Sequence, residues 1–158
     1  MNVLVLCTGN SARSILLEAI LNAAGDGRVR AWSAGSNPAG QVHPQSLRLL
    51  QARGLPVAGL RSKSWDEFAG PDAPKMDAVV TVCGSAAGET CPVWPGAPVR
   101  AHWGVDDPAA APPDDQPRVF QDTFERLQGR ADAFLALPFD TMSAAELRAE
   151  LKRIGEMA

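Results

Sequence analysis

The sequence predicts an α/β fold, a doubly wound parallel sheet in a single domain spanning residues 1–158. Three observations point there. Short apolar runs alternate with stretches of helical periodicity, the pattern of strand–helix–strand units. The runs are nearly continuous rather than alternating, as in strands covered on both faces. The composition, 46% hydrophobic and 21% charged, is that of a globular chain able to bury a core without staples.

The elements follow in order. Asn2 to Leu6 (NVLVL) is the first buried strand. From Ser14, the residues Ile15, Leu16, Ala19, Ile20 and Ala23 recur at helical spacing, and Gly25 supplies a stop. Val29 to Ala34 reads as a second strand and His43 to Arg53 as a helix closed by Gly54. Trp65 to Phe68 reads as a helical turn, Asp77 to Val82 as the third strand and Val99 to Trp103 as the fourth. The Pro-, Ala- and Asp-rich stretch from Asp106 to Pro117 reads as one long loop. Two helices finish the chain. Arg118 to Leu137 carries an apolar stripe of Phe120, Phe124, Leu127, Ala131 and Phe134, and Ser143 to Met157 opens on a capping box of Ser143 and Glu146.

Charge and cysteine usage exclude several classes. A net charge of −3 and a pI of about 5.3 give no general attraction to nucleic acid or anionic lipid, so an anion site has to be local. No stretch approaches the roughly 20 apolar residues that span a bilayer, and the N-terminus lacks a signal-peptide pattern. The expectation is a cytoplasmic protein with no nucleic-acid or membrane partner, monomeric by default at this size. Three cysteines, an odd number, argue against a secreted disulfide framework. Without a CxxC pair or a Cys/His cluster, structural zinc is not expected, nor is any other cofactor.

The chemistry gathers at Cys7-Thr8-Gly9-Asn10-Ser11-Ala12-Arg13-Ser14, between the first strand and the first helix. A helix N-terminus presents unpaired N–H groups and a partial positive charge, and a loop curling into it makes a nest for an anion. Gly9 is expected to permit a backbone conformation that a side chain would obstruct. Arg13 can fork two donors onto an oxyanion. The same field is expected to depress the Cys7 pKa and make it a nucleophile at neutral pH. Ser14 can donate to that sulfur, and Asn10 can pin the loop from inside. The plainer alternative, a buried structural cysteine with an unrelated arginine six positions on, fits poorly with this placement after a strand.

Cys-x-Gly-Asn-x-x-Arg-Ser near the N-terminus, followed much later by Asp-Pro, resembles the low-molecular-weight protein tyrosine phosphatases and the arsenate reductases built on their fold. The resemblance runs from the first strand to about Ala110. It implies a flavodoxin-like, three-layer architecture around four parallel strands. It also assigns the general acid to Asp107, directly before Pro108, with Asp106 a bystander; an oxyanion that loses an oxygen to a nucleophile needs that oxygen protonated.

Phosphatase and reductase share Cys7, Arg13 and Asp107 and differ in sulfur. A phosphatase hydrolyses its thiophosphate with water, whereas a reductase needs further thiols to deliver two electrons to arsenic. Cys83 follows the third strand, so it leaves the sheet at the same edge as Cys7, and Gly84 and Gly88 give the stretch to Cys91 freedom to move. The resemblance to arsenate reductases is closest here, through Cys91-Pro92-Val93-Trp94-Pro95-Gly96, although the Cys83–Cys91 spacing is one residue longer than in thioredoxin-coupled relatives. Phosphatases of this family usually carry a tyrosine after Asp-Pro. This chain has Ala109 there and no tyrosine anywhere. The resemblance therefore implies arsenate as substrate, phosphate or sulfate as mimics, and a Cys7, Cys83, Cys91 relay reduced by thioredoxin, or alternatively by glutaredoxin with glutathione.

In some members of the family a potassium ion braces the loop. Asn10, Glu18 and Ser33 match three of its ligand positions, but Ser62-Lys63-Ser64 offers a cation where an aspartate is expected. Either Lys63 replaces the metal or Glu18 is an ordinary exposed helix carboxylate; no metal is expected in either case. His43 reads as part of a helix start, His102 as packing near Asp107, and Trp94 and Trp103 as packing residues at the mouth of the site.

Overall fold

The computed structural model describes residues 1–83 and 98–157. Gly84, Gly88, Cys91 and Trp94 lie outside the described residues.

Four strands, β1 (Asn2–Leu6), β2 (Arg30–Ala34), β3 (Ala78–Thr81) and β4 (Val99–His102), form one sheet in the order β2-β1-β3-β4, every neighbouring pair parallel. Among the described residues the α-helices are α1 (Arg13–Ala24), α2 (Pro44–Ala52), α3 (Gln116–Leu135) and α4 (Ala144–Gly155). The register sets Leu6 beside Thr81. Cys7 and Cys83, one and two residues further on, therefore leave the sheet at one carboxyl edge, where ligands bind in open α/β sheets.

Strand alternation divides the core. Val3 and Val5 of β1 face the larger part, filled by Ile15, Leu16 and Ile20 of α1 and by Phe120, Phe124 and Leu127 of α3. Leu4 and Leu6 face the smaller part, with Ala34, Phe68, Met76 and Val79, and with Trp32 and Trp65 packed against it. Ser14 to Leu21 of α1 are all buried, so this central helix carries apolar side chains nearly all round. Trp103 is also core: only 1% exposed, it donates Nε1–H to the Leu151 carbonyl at 2.9 Å and meets Phe134 edge-on.

The stretch from Asp106 to Pro117 is not one continuous loop. Pro108–Ala110 forms a 3-10 turn capped by Asp107, and α3 already begins at Gln116. Pro117 sits in the first helical turn, where a missing N–H costs nothing. A further 3-10 turn, Phe139–Thr141, buries Phe139 in stacked contact with Phe134 (centroids 5.2 Å apart). The Ser143/Glu146 capping box at the start of α4 forms as expected, with reciprocal bonds of 3.1 Å.

Candidate active site

Residues 7–12 bridge β1 and α1, and their backbone is turned by bonds to the surrounding chain. The Thr8 carbonyl accepts from the Asn37 amide (3.0 Å), Gly9 from Ala39 (2.9 Å) and Ser11 from His43 (3.0 Å). Hydroxyl groups of Ser62 and Ser46 add bonds to the Gly9 and Ser11 carbonyls. In a planar peptide the N–H points opposite the C=O, so drawing these carbonyls outward aims the following amides into the loop. The N-cap of α1 is Ala12, which has no side-chain cap, and the first turn holds no acidic residue. The leading N–H groups and the positive end of the helix are thereby left for an incoming anion.

The left-handed residue in the loop is Asn10, at φ 45°, rather than Gly9. Asparagine tolerates this region better than most side chains, and three bonds hold it there. Its Oδ1 accepts from the Lys63 amide (3.0 Å), while Nδ2 donates to Ser14 Oγ (2.8 Å) and Ser33 Oγ (2.9 Å). A Cβ on Gly9 would meet only Ser11 Oγ, at 3.9 Å. The glycine that close packing demands is Gly35, where a Cβ would lie 2.3 Å from the Thr8 carbonyl oxygen and 2.5 Å from that of Cys7. No local signal marked Gly35, because the constraint comes from a loop nearly thirty residues away.

Cys7 and Cys83 are both buried, and their thiols are hydrogen-bonded to each other. Cys83 Sγ also lies 3.3 Å from the Thr8 amide, which donates to it, and 3.6 Å from the Thr8 hydroxyl. The expected depressed pKa of Cys7 is not what this arrangement gives. The bond to Cys83, and then burial, push the Cys7 thiol up, outweighing the lowering pull of Arg13 and the Gly9 amide. Two sulfurs in contact do not readily both ionise, and Thr8 favours the charge on Cys83. A Cys7 thiolate therefore requires the two sulfurs to part or Cys83 to hold the proton.

Arg13 is oriented by the Val105 carbonyl, to which Nη1 donates at 3.0 Å, and Nη2 stands 3.8 Å from Asp107 Oδ2. Asp107 is held in turn by the Ala109 amide, which donates to Oδ1 at 3.0 Å, and it remains 44% exposed. A cavity of about 200 Å³ opens over these groups, lined by residues 7–13 together with Asp107 and Ala109. Asp106 lines a different hollow, beside Val105 and Arg126, which separates the two neighbouring aspartates. Cys7, Arg13, Cys83 and Asp107 are thus brought together. Cys91 lies outside the described residues.

Beneath the loop, Glu18 is buried and not the exposed helix carboxylate that its position allowed. Ser33 Oγ donates to its Oε1 at 2.6 Å, and Lys63 Nζ lies 3.7 Å from the same oxygen. Burial raises the Glu18 pKa against the lowering effects of Ser33 and Lys63, and it lowers that of Lys63 against the attraction of Glu18. The contact described for Ser14 is Asn10, not Cys7. His43 caps α2, accepting from the Gln45 amide at Nδ1 (3.1 Å), and His102 Nδ1 pairs with the Thr81 hydroxyl (2.7 Å) rather than with Asp107.

The chain is similar to known proteins in sequence and fold. The family model described as low molecular weight phosphotyrosine protein phosphatase matches residues 2–153. An arsenate reductase of Halalkalibacterium halodurans is 34% identical over 131 residues, covering 82% of this chain and 91% of that protein. A solved arsenate reductase in the phosphate binding state is 25% identical, with a TM-score of 0.68 and coverage of 85% of this chain and 96% of the other. The thioredoxin-dependent arsenate reductase of Corynebacterium glutamicum is 26% identical, with a TM-score of 0.60 over 83% of this chain, which spans 58% of that longer chain. From the fold, the nucleophile loop and this kinship, the chain belongs to the low molecular weight phosphotyrosine protein phosphatase family.

Proposed function

We propose that this protein reduces arsenate to arsenite, with Cys7 as nucleophile and Cys83 and Cys91 as the next two sulfurs of a disulfide relay. The observation that carries the reading is the contact between the Cys7 and Cys83 thiols at the floor of an oxyanion loop. Hydrolysis needs no second sulfur there. The kinship with arsenate reductases and the small Ala109 in the cavity wall, where an aromatic ring would face a phosphotyrosine, support the same choice.

In this mechanism arsenate settles in the loop of residues 8–14, neutralised by Arg13 and the amides of the helix start. Cys7 attacks arsenic while Asp107 protonates the departing oxygen. Cys83 then attacks Cys7 Sγ. The arsenic–sulfur bond breaks with its electron pair left on arsenic, so As(V) leaves as arsenite and a Cys7–Cys83 disulfide remains. Cys91 attacks Cys83, freeing Cys7 and moving the disulfide to Cys83–Cys91, which a dithiol reductant opens. The Thr8 amide and hydroxyl support a Cys83 thiolate at the second step.

Thioredoxin is the reductant assigned by this reading, with glutaredoxin and glutathione as the alternative. Residues 1–158 are read as one cytoplasmic, monomeric domain, and among the described residues no helix is long and apolar enough to cross a membrane. The test is arsenate-dependent NADPH oxidation coupled through thioredoxin and its reductase, run beside a glutaredoxin–glutathione system and a phosphomonoester hydrolysis assay. Arsenate-dependent turnover is expected with thioredoxin. Phosphomonoester hydrolysis without arsenate turnover in either coupled system would contradict the proposal.

A further inference from the structure

Burying an ammonium group costs several kcal/mol unless its surroundings compensate it. Lys63 nonetheless keeps only 6% of its side chain exposed, directly under the nucleophile loop. Its backbone is bound on both sides: the amide donates to Asn10 Oδ1 (3.0 Å) and the carbonyl accepts from Gly35 (2.9 Å). Its Nζ donates to the Arg61 carbonyl (3.1 Å) and faces Glu18 Oε1 at 3.7 Å.

From that ion pair a single chain of bonds leads to the loop. Glu18 accepts from Ser33, Ser33 accepts from Asn10, and Asn10 also binds Ser14 at the start of α1. Along Asn10, Ser33 and Glu18 the donors point toward the carboxylate, an order that an anionic Glu18 favours. Burial alone drives that carboxyl toward its neutral form, and the Lys63 ammonium opposes the drift. Without the ammonium the Ser33 bonds are left to oppose burial, and a Glu18 shifted toward its neutral form accepts more weakly from Ser33, loosening the Ser33–Asn10 link that helps hold Asn10 at a positive φ.

The potassium ion that braces this loop in some relatives does not fit these residues. A hard cation needs converging oxygen lone pairs. While the Lys63 ammonium faces Glu18, Ser33 gives its proton to the carboxylate and Asn10 turns its Nδ2 to Ser33, so no set of oxygens converges on a free ion; removing the ammonium opens the Glu18 carboxylate to one. We propose that the Lys63 ammonium is a tethered cation that fixes the nucleophile loop in place of a free monovalent ion, so that oxyanion binding and turnover are independent of potassium. Lys63 is thus a positioning residue, acting through Glu18, Ser33 and Asn10.

The test compares the native protein, Lys63→Met and Glu18→Gln in buffers of equal ionic strength containing either potassium or tetramethylammonium. Thermal midpoint, inorganic phosphate affinity and arsenate turnover are read for each. Only the turnover arm rests on the reductase reading; the midpoint and phosphate arms decide this inference even where arsenate is not a substrate. The native protein should give the same values in both salts. Lys63→Met should bind phosphate about tenfold more weakly in tetramethylammonium, the scale of a broken buried polar network, and should recover affinity and thermal midpoint as potassium is added. Glu18→Gln should lose a similar factor with no recovery. A native protein that needs potassium overturns the proposal by itself, and this arm decides even if the variants fail to fold. A folded Lys63→Met that matches the native protein, or stays impaired in potassium, also overturns it.

Discussion

The two sides of the Cys7–Arg13 loop are built on opposite rules. On the underside, Asn10, Ser14, Ser33, Glu18 and Lys63 are buried and bonded to one another, and the one negative charge is met by the one positive charge. On the cavity side, the start of α1 has no cap, Arg13 reaches Asp107 only at 3.8 Å, and two thiols share a single bond. A saturated underside holds the backbone still, and an unsaturated upper side leaves its binding capacity for the substrate. Preorganisation of this kind places the cost of ordering the site in folding, ahead of catalysis.

The comparison can be broken from either side, and the largest effect is expected at sulfur. Cys83→Ala should abolish arsenate turnover and at the same time make Cys7 more reactive. The hydrogen bond from Cys83 is the main cause raising the Cys7 pKa, so removing it shifts the pH profile of Cys7 alkylation, followed residue by residue by mass spectrometry, to lower pH. An unchanged profile would mean that the two thiols do not share a proton. Asp107→Asn comes next: a loss of roughly 10²-fold in kcat, with phosphate affinity kept, is the scale of one missing general acid. Equal loss in Asp106→Asn would move the acid to the neighbouring hollow. Gly35→Ala acts from below and is smaller. Forcing a Cβ against the Thr8 and Cys7 carbonyls should cost about 1–3 kcal/mol in urea unfolding and weaken phosphate binding.

What the sequence disclosed follows the same division. The cavity side was legible because its parts are local: Cys7 to Ser14 are contiguous, the strand and helix around them have clear apolar patterns, and Asp107 announces itself by preceding Pro108. Even there the reading erred where two distant pieces meet. The Cys7 pKa is set by Cys83, which lies 76 positions away and reaches it only through the β1–β3 pairing. The underside was legible only in part. Glu18 sits on a helix whose spacing alone leaves its exposure open, and its partner Lys63 arrives from a loop after α2. Gly35 and the Val105 carbonyl that orients Arg13 carry no local signature at all. The same logic explains the fold, where the parallel strands were legible in their continuous apolar runs but the early start of α3 depended on Pro117 being harmless in a first turn.

The relay itself is tested most directly by trapping it halfway. Reduced Cys91→Ser protein is mixed with one equivalent of arsenate, quenched with an alkylating agent, digested and mapped by mass spectrometry, with arsenite measured in the same sample. One arsenite per protein and a disulfide joining Cys7 to Cys83 are predicted. Arsenite formed while Cys7 and Cys83 both remain free to alkylate would contradict the account.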